Sequence, residues 1–408
     1  MILIYITLGI IISFLLGLVL INYLTVHPLK MSRYLLISSF LFFLLVTMSI
    51  FVFNEGFIEF TFLILGSVFL FFLGYYIRAK QVLNVEDSRF IPELVRSKND
   101  PGKGHTAVIY FTHGEPETYN PIGWINQFRE FDKQKIPFIP FPIRPLFLNI
   151  LRKKYLQVGK SDHRKMHHLM FEELEKRFRK EGDHGTKFYL SFLDDEPRPD
   201  AAVIQALNEG ASKLVVCEVF VSISNHTAEG ENQIKDLNLQ EYKVPIFFTS
   251  PLWNSKYLHK MFLEKANSVV QPEEKEGVGL LLVGHGQPDQ WDEEFPTETE
   301  HEIRFRELII DLFISDGYKS ENLSLAWMEF KNPKPAEKIE EFIRNGVKKI
   351  IFFSAGISAD SIHSQYDIPS LVYKSKIPKD VEVIDLGAWN NHPLAIEAFK
   401  ERIDNYLH

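Results

Sequence analysis

This chain contains two pairs of histidines, and each histidine follows an apolar, strand-like run. The motifs around the first pair occur in the same order around the second pair. The first member of each pair ends a run as His-Gly, at residues 113–114 and 285–286. The second member lies in a loop after a later apolar run, at His226 and at His363. Neutral imidazole binds divalent first-row metals and accepts protons near neutral pH. Because parallel α/β sheets place their chemistry at strand ends, the pattern predicts a metal-handling site there.

Carboxylates follow a neighbouring strand-like run in each copy. Glu329 lies at the end of SLAWMEF (324–330), and residues 194–196, Asp-Asp-Glu, hold the matching place in the first copy. Glu329 is a candidate third metal ligand or proton acceptor. The alternative is a charge near a helix N-terminus or on the surface.

Other motifs that carry chemistry are missing from the sequence. It has no GxxxxGK[ST] phosphate loop, no GxGxxG, no GxSxG and no HExxH. The pair His167-His168 lies in a charged helical run, where we expect both side chains to be solvated. His259, His301 and His392 have no counterpart in the repeated pattern.

Beyond residue 106, short apolar runs alternate with amphipathic segments, which predicts parallel sheets flanked by helices. The charged segment 271–277 separates two copies of this plan, so we predict a linker at 81–106 and similar α/β domains at 107–270 and 278–408. The predicted strands are 107–112, 136–141, 187–193, 213–221 and 244–249, then 278–284, 323–328, 347–354 and 381–386. The predicted helices are 122–133, 162–180, 199–209 and 254–269, then 298–315, 333–345 and 391–406.

The first copy contains an extra segment. The stretch from His113 to Asp194 is nearly twice as long as the stretch from His285 to Glu329. Most of the excess falls in 136–157, which mixes Phe, Pro, Leu and basic residues. The segment could be a lip that touches the membrane surface or a flat aromatic ligand. It could equally be an ordinary strand and loop packed on the core.

Residues 1–80 contain three almost purely apolar runs, at 2–24, 34–53 and 58–77. Each is about 20 residues long, enough for a helix to cross a bilayer. Basic residues follow the first and third runs, at 30, 33, 78 and 80. The charged residues around the connection between the second and third runs are all glutamates. The positive-inside rule therefore predicts an external N-terminus, three transmembrane helices and α/β domains in the cytoplasm.

Charge and cysteine content limit the function classes. The chain has a net charge of −8, and because segment 1–80 contributes +2, segment 81–408 carries −10. An acidic soluble part argues against nucleic acid as a partner. The single cysteine, Cys217, excludes an intrachain disulfide, which fits a reducing compartment.

Four segments resemble the class II tetrapyrrole chelatases, the sirohydrochlorin cobalto- and ferrochelatases that are related in fold to protoporphyrin ferrochelatase. The segments are VGHGQPD (283–289), WMEFKNP (327–333), NGVKKIIFFSAGISADSIHSQYDIP (345–369) and LGAWNNHPL (386–394). The loop from His363 to Pro369 matches the family pattern H-x-x-x-D-I-P fully. Residues 107–270 resemble the family more weakly, through THGEP, FLDDEP and SNHTAEG, and lack D-I-P after His226.

The resemblance implies two chelatase-like domains facing each other across a cleft. It assigns His285 and His363 as catalytic metal ligands with Glu329 as their carboxylate neighbour, and His113 and His226 as a second pair that is either degenerate or binds differently. The implied activity is insertion of Fe²⁺ or Co²⁺, as substrate, into a tetrapyrrole, with no organic cofactor. A sirohydrochlorin-like macrocycle is favoured by the loop motif, and protoporphyrin or coproporphyrin by the membrane runs. The alternative is a non-catalytic metal or haem carrier at the membrane.

Overall fold

The computed structural model describes residues 2–85, 89–133, 135–136 and 139–407, which form two compact units. Residues 86–88 of the predicted linker and 137–138 of the predicted strand 136–141 lie outside the described residues, as do residue 134 and the two chain ends. One unit combines residues 1–88 with 118–160, and the other combines 89–117 with 161–408. The chain therefore passes between the units three times.

The first unit begins with three apolar helices that are long enough to cross a membrane, as predicted. They are α1 (Ile2–Thr25), α2 (Met31–Glu55) and α3 (Phe57–Leu83), and a 3₁₀ turn over Pro28–Lys30 leads into α2. Helices α1 and α3 approach each other closely at Gly17, where an added Cβ would lie 2.1 Å from the Phe71 carbonyl oxygen. Small residues at such crossings are typical of packed membrane helices.

The extra segment of the first copy is helical and belongs to this same unit. Helix α4 (Ile122–Lys133) precedes the segment in the same unit, and the segment itself contains a 3₁₀ turn (Phe141–Ile143) and α5 (Arg144–Val158). The predicted strand at 136–141 is wrong, because its described residues form no strand. Pro140 and Pro142 lack the N–H groups that a strand ladder needs, while Pro145 suits the first turn of a helix.

Helix α5 is fastened to the C-terminal end of α1. Arg152, 1% exposed, donates to the carbonyl oxygens of Tyr23 at 2.5 Å and Val26 at 3.0 Å. The Tyr119 hydroxyl donates to the Thr25 carbonyl at 3.1 Å. A small apolar core also joins the end of α3 to α4 and α5; its buried members are Leu83, Ile125, Phe128 and Leu148.

The second unit holds two parallel four-stranded sheets flanked by helices, as predicted. The first sheet has the order β2-β1-β3-β4 and the second the order β6-β5-β7-β8. The strands of the first sheet are β1 (His105–Thr112), β2 (Lys187–Phe192), β3 (Ala211–Glu218) and β4 (Ile246–Phe248). The strands of the second sheet are β5 (Val278–Gly284), β6 (Leu323–Trp327), β7 (Lys349–Ser354) and β8 (Glu382–Asp385).

The helices of this unit agree with the predicted ones within a few residues and add short helices after the strand-end loops. In the first half they are α6 (His163–Lys180), α7 (Pro199–Asn208), α8 (Asn225–Lys235) and α9 (Lys256–Asn267). In the second half they are α10 (Asp289–Glu294), α11 (Pro296–Ser315), α12 (Pro335–Arg344), α13 (Ile368–Val372) and α14 (Pro393–Leu407).

One hydrophobic core connects the two halves. Val108 and Tyr110 of β1 belong to the same buried cluster as Leu280 of β5 and Phe399 of α14. An ion pair reinforces the connection where α14 meets α6, at Arg177–Glu397 (2.8 Å). The two sheets are therefore held in a fixed relation by packing, and not by the connecting segment 271–277 alone.

The strand order explains where the histidines lie. In both sheets the second strand lies on one side of the first strand, and the third and fourth strands lie on its other side. The strand order therefore reverses between β1 and β3 and between β5 and β7. The four predicted histidines follow these four strands. Matching backbone bonds shape the strand ends: the Leu193 N–H donates to the Thr112 carbonyl and the Met328 N–H to the Gly284 carbonyl, both at 2.9 Å.

Candidate metal-handling site

The second-half pair lies together at its sheet edge. The ring centroids of His285 and His363 are 5.3 Å apart, and the ring planes are nearly perpendicular. His285 follows β5, and its Nδ1 lies 2.7 Å from the Gly286 carbonyl oxygen. His363 begins a π-helical turn (His363–Asp367), and its Nδ1 lies 2.9 Å from Asp367 Oδ2. Since a carbonyl oxygen can only accept, the His285 proton lies on Nδ1 and the Nε2 lone pair is available to a metal.

The first-half pair has a similar arrangement. The centroids of His113 and His226 are 4.8 Å apart with nearly perpendicular planes, and His113 Nδ1 lies 2.9 Å from the Gly114 carbonyl. His226 is the second residue of α8, whose N-cap is Ser224 in a reciprocal capping arrangement with Thr227. That Ser-x-x-Thr spacing was a sequence signal for a helix start that the predicted elements omitted.

The two pairs lie within electrostatic reach of each other. The pKa of His226 is well below its usual value because of burial first, and then because of the charges that His113 and His285 can carry. In the part of the chain that the structure describes, no three side chains of His, Cys, Asp or Glu are grouped closely enough to hold a metal ion together. The candidate ligands that the described residues bring together are therefore the two imidazole pairs.

Burial and neighbours shift the second-half imidazoles in opposite directions. Burial lowers the pKa of His285, and the nearby His363 lowers it further, against the opposing carboxylates of Glu329 and Glu302. Burial would also lower the pKa of His363, but its hydrogen bond to Asp367 and the surrounding carboxylates outweigh burial and raise it. His285 therefore stays neutral more readily, and His363 takes up a proton more readily.

Glu329 and Asp194, one of its first-half counterparts, lie beside the strand-end imidazoles. The Glu329 N–H donates to the His285 carbonyl at 3.0 Å, and its carboxylate acts electrostatically on both His285 and His363. Gly286 has φ +83°, and an added Cβ would lie 2.5 Å from the Glu329 carbonyl oxygen, so only glycine fits at this turn. In the first half Asp194 Oδ2 lies 3.3 Å from His113 Nε2.

Glu115 is a site residue that the sequence reasoning missed. Its carboxylate accepts from the backbone N–H of Ile362 at 2.9 Å and lies close enough to His113 and His363 for their charges to act on it. Burial raises its pKa against these opposing influences. Its position two residues after His113, in THGEP, was the available signal.

His163 and His167 were also missed, and the prediction that His167 is solvated is wrong. His167 is fully buried, with Nδ1 2.9 Å from the Tyr110 hydroxyl and Nε2 3.2 Å from Thr112 Oγ1. Its ring centroid is 4.4 Å from that of His163, which is itself 6.5 Å from that of His113. A spacing of four places both on one helix face, which points inward here. His168 is exposed, as predicted.

Burial keeps this inner pair neutral. It lowers the pKa of His167 to about 3 and that of His163 well below its usual value. When α6 and α11 are aligned at their last residues, Glu298 and Glu302 take the positions of His163 and His167. The two halves therefore carry different titratable side chains at matching positions of these helices, histidines in α6 and glutamates in α11.

Comparison with known proteins identifies the class and then the family. Two parallel α/β sheets flanked by helices are the fold that this chain shares with a chelatase of known structure. The ferrochelatase family model matches residues 105–407, and the chain therefore belongs to the ferrochelatase family, whose members are tetrapyrrole metal chelatases. No curated protein matches the chain.

One solved structure of low identity shares the fold, and two others are similar at lower TM-scores. SirB from Bacillus subtilis with Fe³⁺ is 14% identical, with a TM-score of 0.50 over 74% of this chain and 95% of that one. The sirohydrochlorin chelatase SirB from Bacillus subtilis subspecies spizizenii in complex with cobalt is 11% identical, with a TM-score of 0.42 over 74% and 94%. A multi-domain protein from Deinococcus radiodurans with structural similarity to chelatases is 11% identical, with a TM-score of 0.44 over 73% and 54%.

Proposed function

We propose that this chain is a membrane-anchored chelatase that inserts Fe²⁺ or Co²⁺, as substrate, into a tetrapyrrole. The observation that carries the proposal is the tethering of imidazole Nδ1 atoms at the sheet edge, which leaves Nε2 of His285 available to a metal. The family match and the paired strand ends support it. The two halves, 107–270 and 278–408, are proposed to be tandem chelatase-like domains that follow the linker 81–106 in the chain.

The opposite pKa shifts suggest separate roles for the two second-half imidazoles. Insertion of a divalent ion replaces two N–H protons of the macrocycle, so a chelatase needs both a metal ligand and proton acceptors. His285, with its lowered pKa, is assigned to present the metal. His363, with its raised pKa and its bond to Asp367, is assigned to accept protons as well as to bind the ion. Glu329 lies where it can relay protons or complete the coordination.

The first-half pair is proposed to bind metal as well. His113 and His226 are as close as the second-half pair, and burial favours a neutral His226. His113 Nε2 near Asp194 forms a pair of donors of a kind that divalent iron and cobalt accept.

Membrane attachment is proposed to include α5 as well as the three long helices. Its exposed face carries Leu146 and Ile150, each about half exposed, next to the exposed Lys153. Its buried face is fastened to the end of α1, where a spanning helix would leave the bilayer. An apolar stripe bordered by a cation at that depth is typical of a helix lying in the membrane interface.

The test is anaerobic absorbance spectroscopy of the full chain in detergent with Fe²⁺ or Co²⁺. Free-base sirohydrochlorin, coproporphyrin and protoporphyrin are supplied in turn. Repeated turnover with one macrocycle is expected and would identify the substrate. Metal bound at stoichiometric amounts with no turnover on any macrocycle would contradict the proposal and indicate a carrier.

A further inference from the structure

Glu115 connects the two halves of the second unit at the metal-handling site. It belongs to the loop after β1, yet its carboxylate accepts from the backbone N–H of Ile362, one residue before His363, at 2.9 Å. The Ser161 hydroxyl interacts with the same carboxyl. A first-half side chain therefore holds the backbone that carries a second-half imidazole.

A second link lies beside the first. The Asp162 N–H donates to Gln365 Oε1 at 3.2 Å, and Gln365 Nε2 donates to Asp162 Oδ2 at 3.3 Å. The Ser161 N–H donates to the Glu117 carbonyl at 2.9 Å, so the chain is clamped where it leaves for segment 118–160 and where it returns. Residues 115–117 and 161–162 thus form a hydrogen-bonded base for the His363 turn.

The Ile362 amide depends on this contact because Ile362 is only 2% exposed. A buried N–H that loses its acceptor leaves an unsatisfied polar group that water does not readily replace. Removing Glu115 would therefore leave the backbone N–H of Ile362 without its acceptor, directly before the proposed ligand His363. His363 also depends on Asp367 at the far end of the same π-helical turn.

We propose that Glu115 is a positioning residue, whose carboxylate fixes the backbone of the His363 turn so that the imidazole keeps its place opposite His285. The contact stands without any assumption about activity, but its effect on metal insertion rests on the proposed function. Glu115 acts through hydrogen-bond acceptance, so an amide oxygen at the same position can replace it.

Hydrogen exchange of the full chain in detergent tests the contact directly. In Glu115→Ala, the Ile362 amide is expected to exchange about tenfold faster than in the unsubstituted chain, because it loses its acceptor. The exchange is followed in a peptide covering residues 358–368. Glu115→Gln is expected to restore slow exchange. Glu117→Ala is the matched control, since its side chain is exposed and only its backbone carbonyl takes part in the base. Gln365→Ala removes the second link without altering Glu115 and should also speed exchange.

Unchanged exchange in Glu115→Ala, or exchange in Glu115→Gln as fast as in Glu115→Ala, would overturn the proposal. Insertion kinetics supply the second readout: kcat should fall in Glu115→Ala with little change in KM, and recover in Glu115→Gln. If the unsubstituted chain metallates no macrocycle, the proposed function fails while the exchange result still decides the role of Glu115.

Discussion

At the scale of single residues, hydrogen-bond partners at Nδ1 orient three of the four strand-end imidazoles. His113 and His285 each place Nδ1 against the carbonyl of the next glycine, and His363 places it against Asp367. The sequence predicted which histidines belong together, because their order repeats. It did not predict Glu115, His163 or His167, because their roles depend on long-range packing that leaves no local pattern.

Substitution of Asp367 tests the origin of the His363 shift. Asp367→Asn removes a negative charge that favours the imidazolium, so the pKa of His363 should fall. On the acid side of the pH–rate profile His363 becomes protonated and can neither bind metal nor accept a proton. In Asp367→Asn this side of the profile should therefore move to lower pH by about one unit. The maximal rate should also fall, because the acceptor is a weaker base.

The control for this measurement is Asp380→Asn. Asp380 is an exposed carboxylate paired with Lys348 and should leave the profile unchanged. An acid side that stays in place in Asp367→Asn would show that His363 does not limit the reaction at low pH.

At the scale of elements, the periodic segments were predicted well and the proline-rich segment was not. Strands such as 278–284 and helices such as 335–344 follow from uninterrupted patterns with Gly stops. The stretch around Pro140 and Pro142 reads as apolar in sequence, and its aromatic residues suggested a strand. Its actual fold depends on packing against the end of α3, which the local pattern cannot show.

Helix α5 provides the prediction at this scale. A fluorescent label on Leu146→Cys or Ile150→Cys should be quenched by nitroxide-bearing lipids and little by aqueous iodide, because we expect this face to lie among lipids. Lys348→Cys, with its side chain 64% exposed, serves as the aqueous reference. The native Cys217 is buried and should not react. Quenching of the α5 labels by iodide alone would place this face in water.

At the scale of the whole molecule, the three apolar helices and segment 118–160 are one compact unit. The N-terminal helices are therefore more than a tether, because a piece of the first α/β half packs on them. The sequence indicated both the spans and the insertion, but not that they belong together, since their residues are far apart in the chain.

Removal of residues 1–88 tests this organisation. Arg152 would lose two carbonyl acceptors, worth about 2 kcal/mol each, and the apolar core around Leu148 would be opened. Residues 89–408 alone should therefore aggregate on gel filtration. The matched control also replaces 118–160 with a short Gly-Ser linker and should stay monodisperse. Equal solubility of both would contradict a shared unit.

Metal insertion by the paired strand-end imidazoles is tested most directly by the insertion rates of His285→Ala and His363→Ala in the full chain. Both rates should fall at least about 100-fold. His168→Ala, which alters an exposed histidine outside the pairs, should retain the original rate. Full activity in both site variants would contradict the account.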